Sequence, residues 1–307
     1  MSVDEQSESL ARVERGGIPL GAERRLRELS EQDGAFTSDL SVADFALCHR
    51  LGLTPLSQVM GSSIYQVGYQ STPWSSAMGE GFMFEMQALS QAWNEVRDRA
   101  LHRLALEAGH VGADAVIGVD LRTGAHEWAE NSIEYVVVGT AVRRSRDAEP
   151  DDGRRPTSDS RERDPVLTEL SVADYTKLLS AGVEPLGIVA WSSVFFVGAS
   201  YSTQMMSGIG SLGFTQNQEL PEFTQGIYSA REIAVGRLTE QAVRLDASGV
   251  IGTRIAHSIR QVSVGAGAYS RGGLMVTFHA IGTAIRESSD AAETRIHPPE
   301  TTIDLTT

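Results

Sequence analysis

Metal ligation is the first chemistry to weigh, because histidine and cysteine are its commonest carriers and the chain has seven histidines and one cysteine. A structural zinc site takes four Cys or His ligands at suitable spacing, and no C-x-x-C occurs. Cys48 and His49 are adjacent on a predicted helix, so their side chains diverge. His102 and His110 lie two turns apart on a second predicted helix. His126 falls in a loop, His257 and His279 on or near strands, and His297 in a polar tail. Scattered histidines of this kind read as ordinary surface or core residues. Ligands converging across subunits are the one metal reading left open.

Nucleophilic chemistry fares no better. No G-x-S-x-G stands at a strand-to-helix elbow. Ser62-Ser63 and Ser192-Ser193 recur in register, but mid-strand, where pleat-facing or edge hydroxyls with a shared structural role are expected. Glu85 and Glu219 also match in register, each near a helix start, where negative charge is favourable anyway. Gly208 to Gly213 satisfies G-x-G-x-x-G, yet no helix opens on it, as dinucleotide binding requires.

Two loops carry apolar groups among Gly and Ser. They hold Trp74, Met78, Phe82, Met83 and Phe84, then Met205, Met206, Ile209, Leu212 and Phe214. Burial against neighbouring subunits is the plain expectation. Contact with a partner, an apolar ligand or a membrane surface is the sharper one.

The elements that must position these residues come in two sets, because the chain repeats itself. Leu40-Ser41-Val42-Ala43-Asp44-Phe45 returns as Leu170-Ser171-Val172-Ala173-Asp174-Tyr175. Arg103-Leu104 returns as Arg237-Leu238, Val116-Ile117-Gly118 as Val250-Ile251-Gly252, and Gly139-Thr140-Ala141 as Gly282-Thr283-Ala284. The offset grows from 130 to 134 to 143, and the changes fall between matched blocks, where loops tolerate them. The expected domains are a polar leader with a short helix at 22–29 (1–35), a first copy (36–144), a charged disordered linker (145–165), a second copy (166–287) and a polar tail (288–307). The linker is dense in charge and proline and cannot bury enough surface to fold.

Each copy reads α-β-α-β-β. Ser41 and Ser171 start short helices as N-caps, and Gly52 and Gly182 end them. Strands follow at 56–69 and 186–199. Then comes a long amphipathic helix with an apolar stripe: Leu89, Trp93, Val96, Ala100 and Leu104 in the first copy, Phe223, Ile227, Ala230, Ala234 and Leu238 in the second. Glu95, Asp98, Arg99, His102 and Arg103 fall on the opposite, solvent face. Strands at 115–121 and 132–143, then 250–255 and 274–286, close the two units. One helix on a small, mainly antiparallel sheet leaves strand edges without cover, and uncovered edges invite pairing with another copy.

Gly112-Ala113-Asp114-Ala115-Val116-Ile117-Gly118, with the strand ending at Gly139-Thr140-Ala141-Val142, resembles the YbjQ family, small bacterial proteins described as "putative heavy-metal-binding". The second copy supplies Arg231, Glu232, Gly252 and Gly282 of the pattern, but reads Ser248 where the first has Asp114. The resemblance implies an α+β, dodecin-subunit-like fold in each copy, assembly into rings, typically pentamers, and no established activity. A tandem chain could then build two stacked rings or one ring of alternating copies. Read from the residues alone, Gly112 suits a left-handed helix cap, and Gly118 and Gly139 suit a bulge or close backbone approach.

The formal net charge of −14 weighs against nucleic acid as a partner. No apolar stretch is long enough for a spanning helix, and the lone cysteine implies no oxidising compartment, so a cytoplasmic protein is expected. The sequence-based reading is a non-catalytic, self-assembling scaffold or binding protein, not an enzyme, with no cofactor. The alternative is a metal- or small-molecule-binding protein with sites between subunits.

Overall fold

The computed structural model describes residues 2–31, 36–68, 83–124, 132–144, 164–198, 219–264 and 271–287. It is α+β and repeats one unit. In the first copy α3 (Val42–Arg50) leads into β1 (Leu53–Gln66), then the long α4 (Gln87–His110), β3 (Ala115–Gly124) and β4 (Ser132–Arg144). In the second, α5 (Val172–Ser180), β6 (Val183–Gly198), α6 (Pro221–Arg244), β7 (Gly249–Val264) and β8 (Arg271–Glu287) follow the same order. Ser41 and Ser171 cap their helices by accepting from the backbone N–H of Asp44 and Asp174. Gly52 and Gly182 leave them at φ of 66° and 70°, the left-handed region that favours glycine. The last two strands of each unit form an antiparallel pair with a bulge at the same place, between Ile117 and Asp120 and between Ile251 and Arg254.

The sheet edges differ from expectation. Two short strands are exchanged between the copies. β2 (Met83–Glu85), from the first copy, pairs antiparallel with β6. β5 (Val166–Leu167), which leads into the second copy, pairs parallel with β3. The sheets therefore run β1-β4-β3-β5 and β2-β6-β8-β7. Among the described residues the outer edge of β7 has no strand partner. β7 is also far longer than the six residues expected, at 16. Its residues 252–261 are exposed on both faces, so no inside–outside alternation marked the extension.

The leader holds two helices, not one short one: α1 (Val3–Glu14) and α2 (Leu20–Glu31). Ser2 and Glu5 form a capping box that starts α1. Ile18 and Leu26 are buried in the first copy's core, and this tertiary packing supports helices too short to stand alone. Residues 145–163 of the expected linker and the whole tail lie outside the described residues. No helix among those described is long and apolar enough to cross a membrane.

The long helices bury the expected stripes, with Val96, Ala100 and Leu104 at 0% exposure against the first sheet. Their closest approaches to the sheets differ. In the first copy a Cβ on Gly61 of β1 would overlap the Ala100 carbonyl oxygen. In the second a Cβ on Gly226 of α6 would overlap the Val197 side chain. Glycine has moved from strand to helix, and the contact has slid towards the helix N-terminus. A third core joins the copies: Cys48, Leu53, Ala115 and Ile117 pack with Leu170, Val172 and Tyr175.

Candidate functional site

The most developed cluster of polar side chains lies in the seam between the copies. α4 has a second buried face, Ser90, Asn94 and Arg97, which lies against the edge of β6. The Asn94 side chain acts there as a neighbouring strand would. Its Nδ2 donates to the Ser192 carbonyl at 2.8 Å, and its Oδ1 accepts from the Ser192 N–H at 2.9 Å. The Val194 N–H donates to Ser90 Oγ at 2.9 Å. β2 then continues the cover at residues 195–197. Arg97 is 3% exposed and donates to Asn94 Oδ1 at 2.6 Å and to Asp98 at 2.7 Å.

Behind this edge, Ser192 Oγ lies 2.8 Å from His279 Nδ1, and the Tyr135 hydroxyl lies 3.3 Å from the same oxygen. Trp93 meets the His279 ring edge-on, with centroids 4.9 Å apart. Burial, reinforced by the nearby Arg97 charge, lowers the His279 pKa from 6.5 to about 4. The imidazole is thus neutral at pH 7. A neutral imidazole beside a serine hydroxyl is the pairing a nucleophilic site uses. Here Ser192 is 1% exposed and both its backbone groups are held by Asn94, so the pair knits the seam together.

Its pH dependence follows from the sign of the shift. The unfolded chain takes up a proton on His279 at higher pH than the folded chain does, so acid favours unfolding. Stability present above pH 6.5 is expected to fall as pH drops towards 4, by roughly 3 kcal/mol from this group. Urea unfolding at pH 7 and pH 4.5 measures it. His279→Gln should flatten the difference.

Glu107 and Arg103 cap the outer edge of β1. Glu107 accepts from the Met60 N–H at 2.9 Å and pairs with Arg25 of α2. Arg103, expected on the solvent face, is 8% exposed and donates to the carbonyls of Ser62, Val13 and Gly17. It therefore ties the leader to the sheet. Without it, three half-buried carbonyls lose a charged donor. Arg103→Ala is expected to raise the rate of trypsin cleavage in the leader about tenfold or more, as local opening becomes easier by about 1.5–3 kcal/mol.

The residues around Gly112 form a clamp that both copies repeat. Gly112, at φ 69°, ends α4, and its counterpart Asp246 takes φ 56°. Arg143 donates to the Gly112 and Val111 carbonyls, as Arg286 does to those of Asp246 and Leu245. The Asp114 carboxylate accepts from the Arg144 N–H at 2.8 Å, and Ser248 Oγ accepts from the Glu287 N–H at 3.1 Å. The turn thus asks for an acceptor, not a carboxylate. Asp114→Ser is expected to cost less than about 1 kcal/mol in thermal unfolding. Gly118 and Gly252 occupy the bulges at φ 64° and 63°. A Cβ on Gly139 or Gly282 would lie 2.6 or 2.7 Å from a valine methyl. Ala113 joins the turn through its N–H to the Ala108 carbonyl.

The sequence profile of a family described as "putative heavy-metal-binding" matches residues 74–145 and 183–287, the clamp of both copies included. The chain belongs to the YbjQ family. A relative in Mycobacterium tuberculosis, the encapsulin nanocompartment protein Rv1762c, is 34% identical over 270 residues, 88% of this chain and 91% of its own length. UPF0145 proteins of Natronomonas pharaonis and Clostridium novyi are 39% and 41% identical over 59 residues, 19% of this chain and 55% of theirs. No solved structure gives a significant match.

The family description raises metal ligation again. Among the described residues no three His, Cys, Asp or Glu side chains gather as a metal would require. Cys48 is buried, and burial together with Asp44 raises its thiol pKa, away from the thiolate a metal needs. His49 packs edge-on against Phe45, and His257 stacks on Phe278. Of the YbjQ pattern in the second copy, Arg231 and Glu232 are exposed on α6. Among the apolar loop residues, Phe84 lies in β2 with its ring 5.5 Å from that of Phe196. Trp74, Met78, Phe82, Met205, Met206, Leu212 and Phe214 lie outside the described residues. The seam residues Ser90, Asn94 and Arg97 carried no distinguishing mark, since polar groups beside an apolar stripe fit a solvent face equally well.

Proposed function

We propose that this YbjQ-family chain is a non-catalytic scaffold that assembles with further copies of itself into rings in the cytoplasm and serves as a structural part of a protein nanocompartment. The observation that carries the reading is the exchange of edge strands, β2 onto β6 and β5 onto β3. Joining by sheet edges is how this unit binds another of its kind, and the chain contains one complete joint. The name of the Mycobacterium tuberculosis relative, an encapsulin nanocompartment protein, supports the larger setting. The Ser192–His279 pair fits the same reading, because its hydrogen bonds are spent on holding the two copies together. Native mass spectrometry tests the assembly, with a closed oligomer expected. A single chain at micromolar concentration would count against it.

A further inference from the structure

The joint inside the chain has two unlike sides, and each copy has used only one of them. The first copy gives its helix face (Ser90, Asn94) and its β3 edge. The second gives its β6 edge and the segment 166–170. That segment is bound to β3 through Val166 N–H to the Asp114 carbonyl, Thr168 N–H to Val116, Gly118 N–H to Leu170, and Val119 N–H to Thr168, all at 2.9–3.1 Å. The repeat places the counterparts at the two ends of the chain. On the second copy these are the β7 edge at residues 249–253 and the α6 face carrying Tyr228, which is 61% exposed. On the first they are residues 36–40 and the β1 edge at Ile64, which is 55% exposed.

Both ends are laid out for the same contact. Residues 166–170 sit over their own sheet, with Thr168 Oγ1 on Thr283 Oγ1 at 3.0 Å. Residues 36–40 sit over theirs likewise, with the Asp39 N–H on Thr140 Oγ1 at 3.3 Å. Thr140 and Thr283 are counterparts. Gly252 supplies the same left-handed bulge as Gly118, at φ 63°. The partner of β7 is thus specified by the chain itself.

Resting on the self-assembly reading, we infer that residues 36–40 of a second copy of this chain pair with the β7 edge at 249–253, so that first and second copies alternate around one ring. The first copy's helix face is already covered by its own second copy, so it cannot also receive another first copy. A ring built this way contains an even number of copies and is not five first copies stacked on five second copies. The leader, fixed by Arg103 beside Ser62, borders each new joint.

The test uses the full chain. Wild-type protein found as single chains would retire the self-assembly reading, and this joint with it. Given an assembled wild type, Phe36→Cys and Gly249→Cys are combined in a Cys48→Ala background and oxidised. These positions correspond to the paired Val166 and Ala115, and a Cβ on Gly249 meets only Ile285, at 4.0 Å. A ladder of linked chains is expected on a non-reducing gel, with none from either single cysteine. Dimers from Phe36→Cys alone would place first copy against first copy. That result, or an assembled double variant without a ladder, overturns the alternating arrangement and leaves self-assembly standing. Tyr228→Glu should also reduce the assembly to single chains with unchanged circular dichroism. Val243→Glu, on the same helix and 68% exposed, should not.

Discussion

Gly61→Ala is expected to lower stability by about 4 kcal/mol, read as a fall in the urea midpoint of the purified chain. A Cβ at Gly61 would overlap the Ala100 carbonyl oxygen and stand 2.7 Å from the Leu104 nitrogen and 3.0 Å from the Ala100 carbonyl carbon. All three neighbours are backbone atoms of α4, so no side chain can swing aside. Either β1 or α4 must move. Alanine in a strand interior would otherwise stabilise by roughly 0.5–1 kcal/mol over glycine, and overpacking outweighs that gain. A shift of α4 also draws Asn94 and Ser90 from β6, which is why the cost exceeds the usual 1–3 kcal/mol of a single overpacked site. Gly236→Ala on the helix α6 provides the contrast. A Cβ there meets nothing within 4 Å, so the same change is expected to stabilise by up to about 1 kcal/mol.

These two glycines show what a sequence can and cannot disclose. The helix stripe, the N-caps at Ser41 and Ser171 and the glycines at 52, 112 and 182 were readable, because each depends on neighbours within one or two turns. The repeat made the α+β unit readable twice. What stayed hidden depends on partners distant in the chain. Gly61 occupies the position held by Trp191 in the second copy, and only the crossing of α4 over β1 explains the difference. Met83 and Phe84 looked like the end of an apolar loop and Glu85 like a helix start, because a three-residue strand acquires meaning only beside its partner, residues 195–197. Arg103 looked exposed because its acceptors, Val13 and Gly17, belong to a leader expected to hold one short helix. His279 was visible as a histidine in an apolar strand, but its partners Ser192, Tyr135 and Trp93 come from three other elements.

Asn94→Leu is expected to cost about 4 kcal/mol and, unlike Gly61→Ala, to separate the two copies rather than loosen the first. The replacement removes the acceptor for the Ser192 N–H, the donor to the Ser192 carbonyl and one acceptor of Arg97. Each buried group left unpaired costs about 1–3 kcal/mol, and more where a charge is involved. Leucine adds apolar volume of similar size but no bond to a strand edge. The cores on either side of the seam do not contain residue 94, so each copy keeps its own packing. One cooperative thermal transition is expected of the parent chain, and in the variant it is expected to split in two. Calorimetry measures this directly, and a single transition at unchanged temperature would show that the exchanged strands β2 and β5 and the shared third core hold the copies together without Asn94.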